Sequence, residues 1–123
     1  PISLAMLSAC QGVPMEDLRA MPPFLEGRSA ISFDDFQRCV FDQQQMDWMR
    51  SSGHLLVLAL SDGAEWTVGS FQMGQRKQFY LVRLQRQGVA TEVSVRKAPT
   101  YCALLPPEEL RQALVRCGWM PSR

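Results

Sequence analysis

The sequence predicts an α+β domain: a four-stranded antiparallel meander with an N-terminal and a C-terminal helix packed on one face. Three observations predict it. Apolar residues recur at helical spacing from Ser32, four strand-like runs follow between Leu55 and Lys97, and a second helical stretch begins at Pro106. The turns between the runs are short, and strands joined by short turns pair antiparallel, because a parallel pair needs a long crossover.

The first helix is predicted to run from Ser32 to Arg50. Ser32 supplies an N-cap oxygen, and Asp34 and Asp35 place negative charge against the positive end of the helix. The apolar residues with helical spacing are Phe33, Phe36, Val40, Phe41, Met46, Trp48 and Met49. Packing alone explains such a stripe, so we assign it to the core.

The first strand is predicted over Leu55–Leu60, a continuous apolar run. Such a run is typical of a central strand that is covered on both faces. The second strand, Trp66 to Met73, contains Gly69, which predicts a bulge or bend.

The third and fourth strands are predicted at Phe79 to Gln85 and Thr91 to Lys97, the latter with Val93 and Val95 facing inward. Strict alternation in the third strand gives it two faces. Tyr80, Val82 and Leu84 form one face, and Phe79, Leu81 and Arg83 form the other.

The C-terminal helix is predicted to begin at Pro106 and Pro107, with Glu108 and Glu109 against its positive end, and to stop at Gly118. The remaining segments are residues 11–30, a tether or arm broken by prolines and glycines, and residues 31–123, a single domain.

Length and composition are those of one globular domain. The chain has 123 residues, of which 46% are hydrophobic and 20% are charged, which argues against disorder. The net charge of +1 is unevenly distributed, at −5 for residues 1–73 and +6 for residues 74–123. An anionic partner for the basic half is one interpretation; attraction between the halves within the fold is the one we favour, because the basic residues are scattered.

The N-terminal segment contains the one candidate targeting signal in the sequence. An apolar run from Ile2 to Ala9 ends in Leu7-Ser8-Ala9-Cys10, although no Lys or Arg precedes it. This stretch resembles the end of a bacterial lipoprotein signal. The resemblance implies that residues 1–10 are a truncated signal segment, that Cys10 is the lipidation site, and that Gln11 directs the anchor to the periplasmic side of the outer membrane. The alternative is an ordinary N-terminal helix or strand with a buried cysteine in a cytoplasmic protein.

The four cysteines predict no metal site. Cys10, Cys39, Cys102 and Cys117 form no CxxC pair and have no histidine at ligand spacing. In the oxidising compartment that the lipoprotein resemblance implies, Cys102 and Cys117 are the expected disulfide, because they flank the last helix. The alternative is that Cys39 and Cys117 are small buried hydrophobic residues on helices.

No catalytic constellation is predicted. His54 is the only histidine, no carboxylate lies beside it, and no phosphate-binding or nucleophile-elbow motif is present. Adjacent acids at helix starts do not face each other, so they form no acid–base pair. We therefore expect no enzyme activity and no cofactor.

Binding is the remaining function class. Arg83 and Arg96 are predicted on neighbouring strands of the outer sheet face, with Phe79 and Leu81 beside them. In order of preference, this face is covered by the chain itself, docks a protein partner, or holds nucleic acid. The resulting hypothesis is an envelope lipoprotein that binds a protein partner through Phe79, Arg83 and Arg96, as an accessory subunit or an immunity-type inhibitor. The second hypothesis is a cytosolic nucleic-acid-binding or regulatory domain that uses the basic C-terminal half.

Overall fold

A computed structural model describes residues 12–99 and 104–122. Cys10 and Cys102 lie outside the described residues. The elements, in chain order, are α1 (Met15–Ala20), β1 (Leu25–Ser29), α2 (Phe33–Phe41), α3 (Gln44–Ser51), β2 (Leu55–Leu60), β3 (Gly63–Gln72), β4 (Gln75–Gln87), β5 (Ala90–Lys97), α4 (Pro107–Val115) and β6 (Trp119–Pro121).

The described elements form one antiparallel sheet of six strands in the order β2-β3-β4-β5-β1-β6. The predicted meander is present as β2 to β5, but the predicted count of four strands is wrong, because β1 and β6 extend the sheet beyond β5. Both are short and nearly lack apolar alternation, with the sequences Leu-Glu-Gly-Arg-Ser and Trp-Met-Pro. Pairing with a neighbour, rather than local pattern, makes them strands.

Three helices cover one face of the sheet and enclose the core. Trp66, Val82 and Leu84 from the sheet belong to the same buried cluster as Phe36 of α2 and Leu110 of α4. The predicted inward residues Val93 and Val95 are both fully buried there. Ser32 caps α2 by accepting a hydrogen bond from the Asp35 amide.

The helix α1 lies on the opposite face of the sheet. Leu18 is fully buried there, Arg19 binds Glu65 of β3, and the backbone oxygen of Met21 accepts a hydrogen bond from Arg96. Two predictions are therefore corrected: the helices do not all pack on one face, and residues 12–30 are not a tether but part of the domain. The prolines that suggested an arm instead bound a six-residue helix, since Pro14 precedes α1 and Pro22 follows it.

The predicted helix Ser32–Arg50 is divided in two at Gln43. Gln43 has extended backbone angles, and its side-chain amide donates to the Ala113 oxygen and accepts from Arg116. These contacts with Ala113 of α4 and with Arg116 favour the extended conformation of Gln43. The sequence around Gln43 contains no signal that predicts this break.

Gly69 lies at a β-bulge between β3 and β4, as predicted. The register shifts between Val68 and Gly69, so that Val68 pairs with Tyr80 while Gly69 pairs with Gln78. Phe79 is the additional residue, and it belongs to the same buried cluster as Tyr80. The strict alternation that placed Phe79 beside Leu81 and Arg83 is therefore wrong at this residue.

The disulfide joins Cys39 to Cys117, with the two Cα atoms 5.9 Å apart across 78 residues of sequence. The predicted pairing of Cys102 with Cys117 is therefore wrong. Cys39 lies in α2 and Cys117 follows α4, and these helices meet over the same sheet face, which brings together two cysteines that are remote in sequence. The internal disulfide indicates an oxidising compartment.

Candidate protein-interaction surface

The strand β2 is an edge strand of the sheet. Its run of three consecutive large apolar side chains is exposed to solvent, with fractions of 48% for Leu56, 44% for Val57 and 56% for Leu58. Successive side chains of a strand point to opposite faces, so apolar surface is exposed on both faces of this edge. The prediction of a central strand covered on both sides is wrong, because β2 has one neighbour, β3, within the described residues.

The outer side of β2 also carries free backbone groups. The oxygen of His54 accepts from the Gly69 amide, and Leu60 pairs with Gly63 across a two-residue turn. Backbone groups alternate in direction along a strand, so the even-numbered residues bond to β3. The N–H and C=O groups of Leu55, Val57 and Ala59 therefore point away from β3 and have no backbone partner among the described residues.

The β2 edge lacks the features that protect natural sheet edges. Charged residues, prolines and bulges normally prevent an edge from pairing with another chain. Leu55–Leu60 has none of these in its sequence, and its ladder with β3 is regular. The opposite edge, β6, has only three residues and ends in Pro121. Apolar character, free backbone groups and absent protection coincide at β2 alone among the described edges.

A groove lies beside β2 on the outer sheet face, between this strand and α1. It has a volume of about 310 Å³, with Leu56 and Leu58 on one side, Met15 and Arg19 on the other, and Glu65 in its floor. The groove therefore has apolar side chains along β2, and Arg19 and Glu65 contribute charge to its lining.

Glu65 is the buried charge of this groove, since its side chain is only 4% exposed. Arg19 donates to both carboxylate oxygens at 2.8 Å, and Arg83 donates at 3.3 Å. The hydrogen bonds from Arg19 hold the pKa of Glu65 below its usual value, burial opposes this, and the charges of Arg19 and Arg83 add to the lowering. Glu65 is therefore ionised at neutral pH and fixes α1 on the sheet.

Arg76 holds the start of β2 in place. Its two terminal nitrogens donate to the backbone oxygens of Gly53 and His54, at 3.0 and 2.8 Å. Burial lowers the pKa of Arg76, although a guanidinium still remains charged at neutral pH. These bonds tie the two residues that precede β2 to the start of β4.

The three residues predicted to bind a partner do not form an open surface together. Phe79 is buried in the core. Arg83 and Arg96 do lie on neighbouring strands of the outer face, but Arg83 binds Glu65 and Arg96 donates to the Met21 oxygen. Leu81 between them is buried as well. Helix α1 covers this part of the outer face, which agrees with the first-ranked interpretation that the chain itself covers it.

The ring of His54 lies tilted beside that of Trp48, with the ring centroids 5.6 Å apart, and its Nδ1 lies 3.0 Å from the Gly69 oxygen. Within residues 12–99 and 104–122, no three His, Cys, Asp or Glu side chains lie together as metal ligands, and no helix is long and apolar enough to cross a membrane.

Comparisons with protein-family models, with curated proteins and with solved structures found no match to this chain. The function is therefore inferred from the surface of the domain itself.

The exposed apolar side chains of β2 are a candidate binding feature that the sequence did not reveal. The signal was the run Leu55–Leu60, which is free of charge. A buried central strand and an apolar edge strand have the same pattern, so the pattern alone could not assign it.

Proposed function

We propose that this chain is a non-enzymatic protein-binding domain of the bacterial envelope, anchored to the outer membrane through a lipid on Cys10, and that its partner adds a strand to β2. The observation that carries the proposal is the exposed, uncharged edge of β2, with Leu56, Val57 and Leu58 open to solvent.

Strand addition would use both the backbone groups and the exposed apolar side chains of this edge. The free backbone groups of Leu55, Val57 and Ala59 supply hydrogen bonds, which give affinity for any extended segment. The side chains supply selectivity, because alternate residues of the added strand would meet Leu56 and Leu58 on one face and Val57 on the other. A partner segment with apolar residues on both faces is the chemistry that fits.

The disulfide and the N-terminal sequence support the location. A Cys39–Cys117 bond is typical of a protein that folds outside the cytoplasm. With these two cysteines bonded to each other, Cys10 and Cys102 remain, and acylation of Cys10 would leave one unpaired thiol at Cys102. The role is that of an accessory subunit of an envelope machine or of an immunity-type inhibitor, both of which work by binding a protein.

The nucleic-acid hypothesis receives less support. Arg83 and Arg96 each have an intramolecular partner, and α1 covers the sheet between them. Stacking of bases also needs exposed aromatic rings beside the charge, whereas Phe79 is buried.

Photocrosslinking in the cells that make the protein tests the binding surface. A photoreactive phenylalanine at Leu58 is expected to give a defined adduct with an envelope protein, and the added substitution Leu56→Lys is expected to abolish it. Val115 is the matched control position, because it is an apolar residue of α4 with similar exposure. The proposed surface would be overturned if the probe at Leu58 gave no adduct without the Leu56→Lys substitution, or if the probe at Val115 gave an equal adduct.

Mass spectrometry of the natural protein tests the anchor. A diacylglyceryl group on Cys10, with residues 1–9 removed, is the expected result. A Cys10–Cys102 disulfide in an unprocessed chain would overturn the anchor, because an acylated thiol cannot form that bond.

A further inference from the structure

We propose that the β2 edge pairs with the β2 edge of a second copy of this chain, antiparallel and about a two-fold axis at Val57, so that two sheets become one of twelve strands. The inference rests on the proposed function, since it uses the same edge and names an occupant for it.

The backbone of β2 is complementary to itself in this register. With Val57 opposite Val57 of the second copy, Leu55 lies opposite Ala59, and Ala59 opposite Leu55. These are the three residues whose N–H and C=O groups point outward, and each such antiparallel pair exchanges two hydrogen bonds. About six hydrogen bonds form, and every free backbone group of the edge is used.

The side chains are compatible with the same register. Leu56 lies opposite Leu58 of the second copy, and Leu58 opposite Leu56, so the two most exposed leucines of β2 cover each other on the outer face. The strand carries no charge, and Asp62 beyond its end lies opposite Ser52. No like charges meet in this register. Most natural edge strands, by contrast, carry charges that repel a second strand.

The structure also favours a closed pair over an open chain of molecules. Head-to-tail growth would pair β2 with β6, which has three residues and ends in Pro121. Only the β2–β2 contact matches six residues with six, and such an isologous contact closes at two copies. One strand per copy makes a small interface, so the pair is weak in solution. Confinement to a membrane by the proposed anchor raises the effective concentration and favours it.

Sedimentation of the chain, from about 1 µM to about 500 µM, tests the pair. We expect a reversible dimer, and Leu58→Lys is expected to weaken it by about tenfold or more, because the lysine ammonium loses water in the contact. Leu58 is more than half exposed, so the substitution leaves the fold intact. Val115→Lys, on the exposed face of α4, is the matched control and is expected to change nothing. A monomer at every concentration, or a dimer that Leu58→Lys leaves unchanged, would overturn the inference.

Cysteine crosslinking tests the register. In a hydrogen-bonded antiparallel pair the two Cα atoms lie about 5.5 Å apart, which suits a disulfide. Val57→Cys is expected to form a disulfide-linked dimer in a glutathione buffer, and Leu58→Cys is not, because its copies are displaced along the strands. Crosslinking at Leu58→Cys alone would refute this register. A monomer in sedimentation that still gives a heterologous photoadduct at Leu58 would refute the dimer and leave the proposed function standing.

Discussion

The contact between Arg19 and Glu65 gives the sharpest test of how α1 is held on the sheet. Arg19→Ala removes both 2.8 Å hydrogen bonds to a carboxylate that is only 4% exposed. Arg83 stays in place as the remaining partner, at 3.3 Å. We expect the variant to fold but to be less stable, and α1 to dissociate locally before the sheet unfolds.

The size of the loss follows from the exposure of the two partners. Removing one member of a fully buried ion pair costs about 3–5 kcal/mol. The Arg19 side chain is 46% exposed, so water already competes for its charge, and Arg83 continues to compensate Glu65. We therefore expect a loss of about 2 kcal/mol in the free energy of unfolding. In a domain of this size, that corresponds to a fall in Tm of about 8 °C.

The loss also depends on pH in a defined direction. Arg19 holds the pKa of Glu65 below the ordinary 4.5 of a glutamate. A group whose pKa is lower in the folded state contributes stability that is complete above 4.5 and disappears as the pH falls through the lowered value. The difference in free energy of unfolding between wild type and Arg19→Ala is therefore greatest at neutral pH and becomes smaller in acid.

Urea unfolding followed by tryptophan fluorescence, at about pH 7 and about pH 3, measures both effects. Arg38→Ala is the matched control. Arg38 forms an ion pair with Asp35 at 3.5 Å, but both side chains are exposed, so we expect a change of less than about 0.5 kcal/mol. If Arg19→Ala is no less stable than Arg38→Ala at neutral pH, or if its difference from wild type does not narrow in acid, the reasoning is refuted.

Two further predictions concern the core and the sheet. The Cys39–Cys117 bond closes a loop of 78 residues, so replacing both cysteines with serine is expected to cost about 4 kcal/mol in urea unfolding; a loss below about 1 kcal/mol would contradict this. Gly27→Ala would place a Cβ atom 2.0 Å from the Met120 oxygen, so we expect a loss of about 1–3 kcal/mol as β6 separates from β1. Unchanged stability together with unchanged tryptophan fluorescence would show that β6 does not constrain this glycine.

Elements with strong local signals were predictable from the sequence. The cap at Ser32, the bulge at Gly69 and the start of the last helix at Pro107 each depend on residues within a few positions of one another. The elements that were missed lack such signals. The strand β1 exists because β5 and β6 flank it, and Gln43 leaves the helix because Ala113, 70 residues away, accepts its hydrogen bond.

The candidate surface was less predictable than the fold. Phe79 was assigned to the outer face because alternation holds along a regular strand, but one bulge reverses the faces. Arg83 and Arg96 were placed correctly on neighbouring strands, yet Arg83 binds Glu65 of β3, and Arg96 donates to Met21 in a segment predicted as a tether. Because these side chains bind other parts of the chain, the predicted surface is not open. The exposed apolar surface lies instead on β2.

The sequence by itself determined the α+β class, the β2–β5 meander and the inward valines, because these follow from periodicity and turn chemistry over short distances. Tertiary structure alone decided the order of the six strands, the partner of Cys117 and the exposure of Leu56, Val57 and Leu58. The physical reason is that burial and pairing depend on which segments meet in space. An uncharged apolar run has the same local pattern between two strands as at an exposed edge, and only the position of its neighbours distinguishes the two.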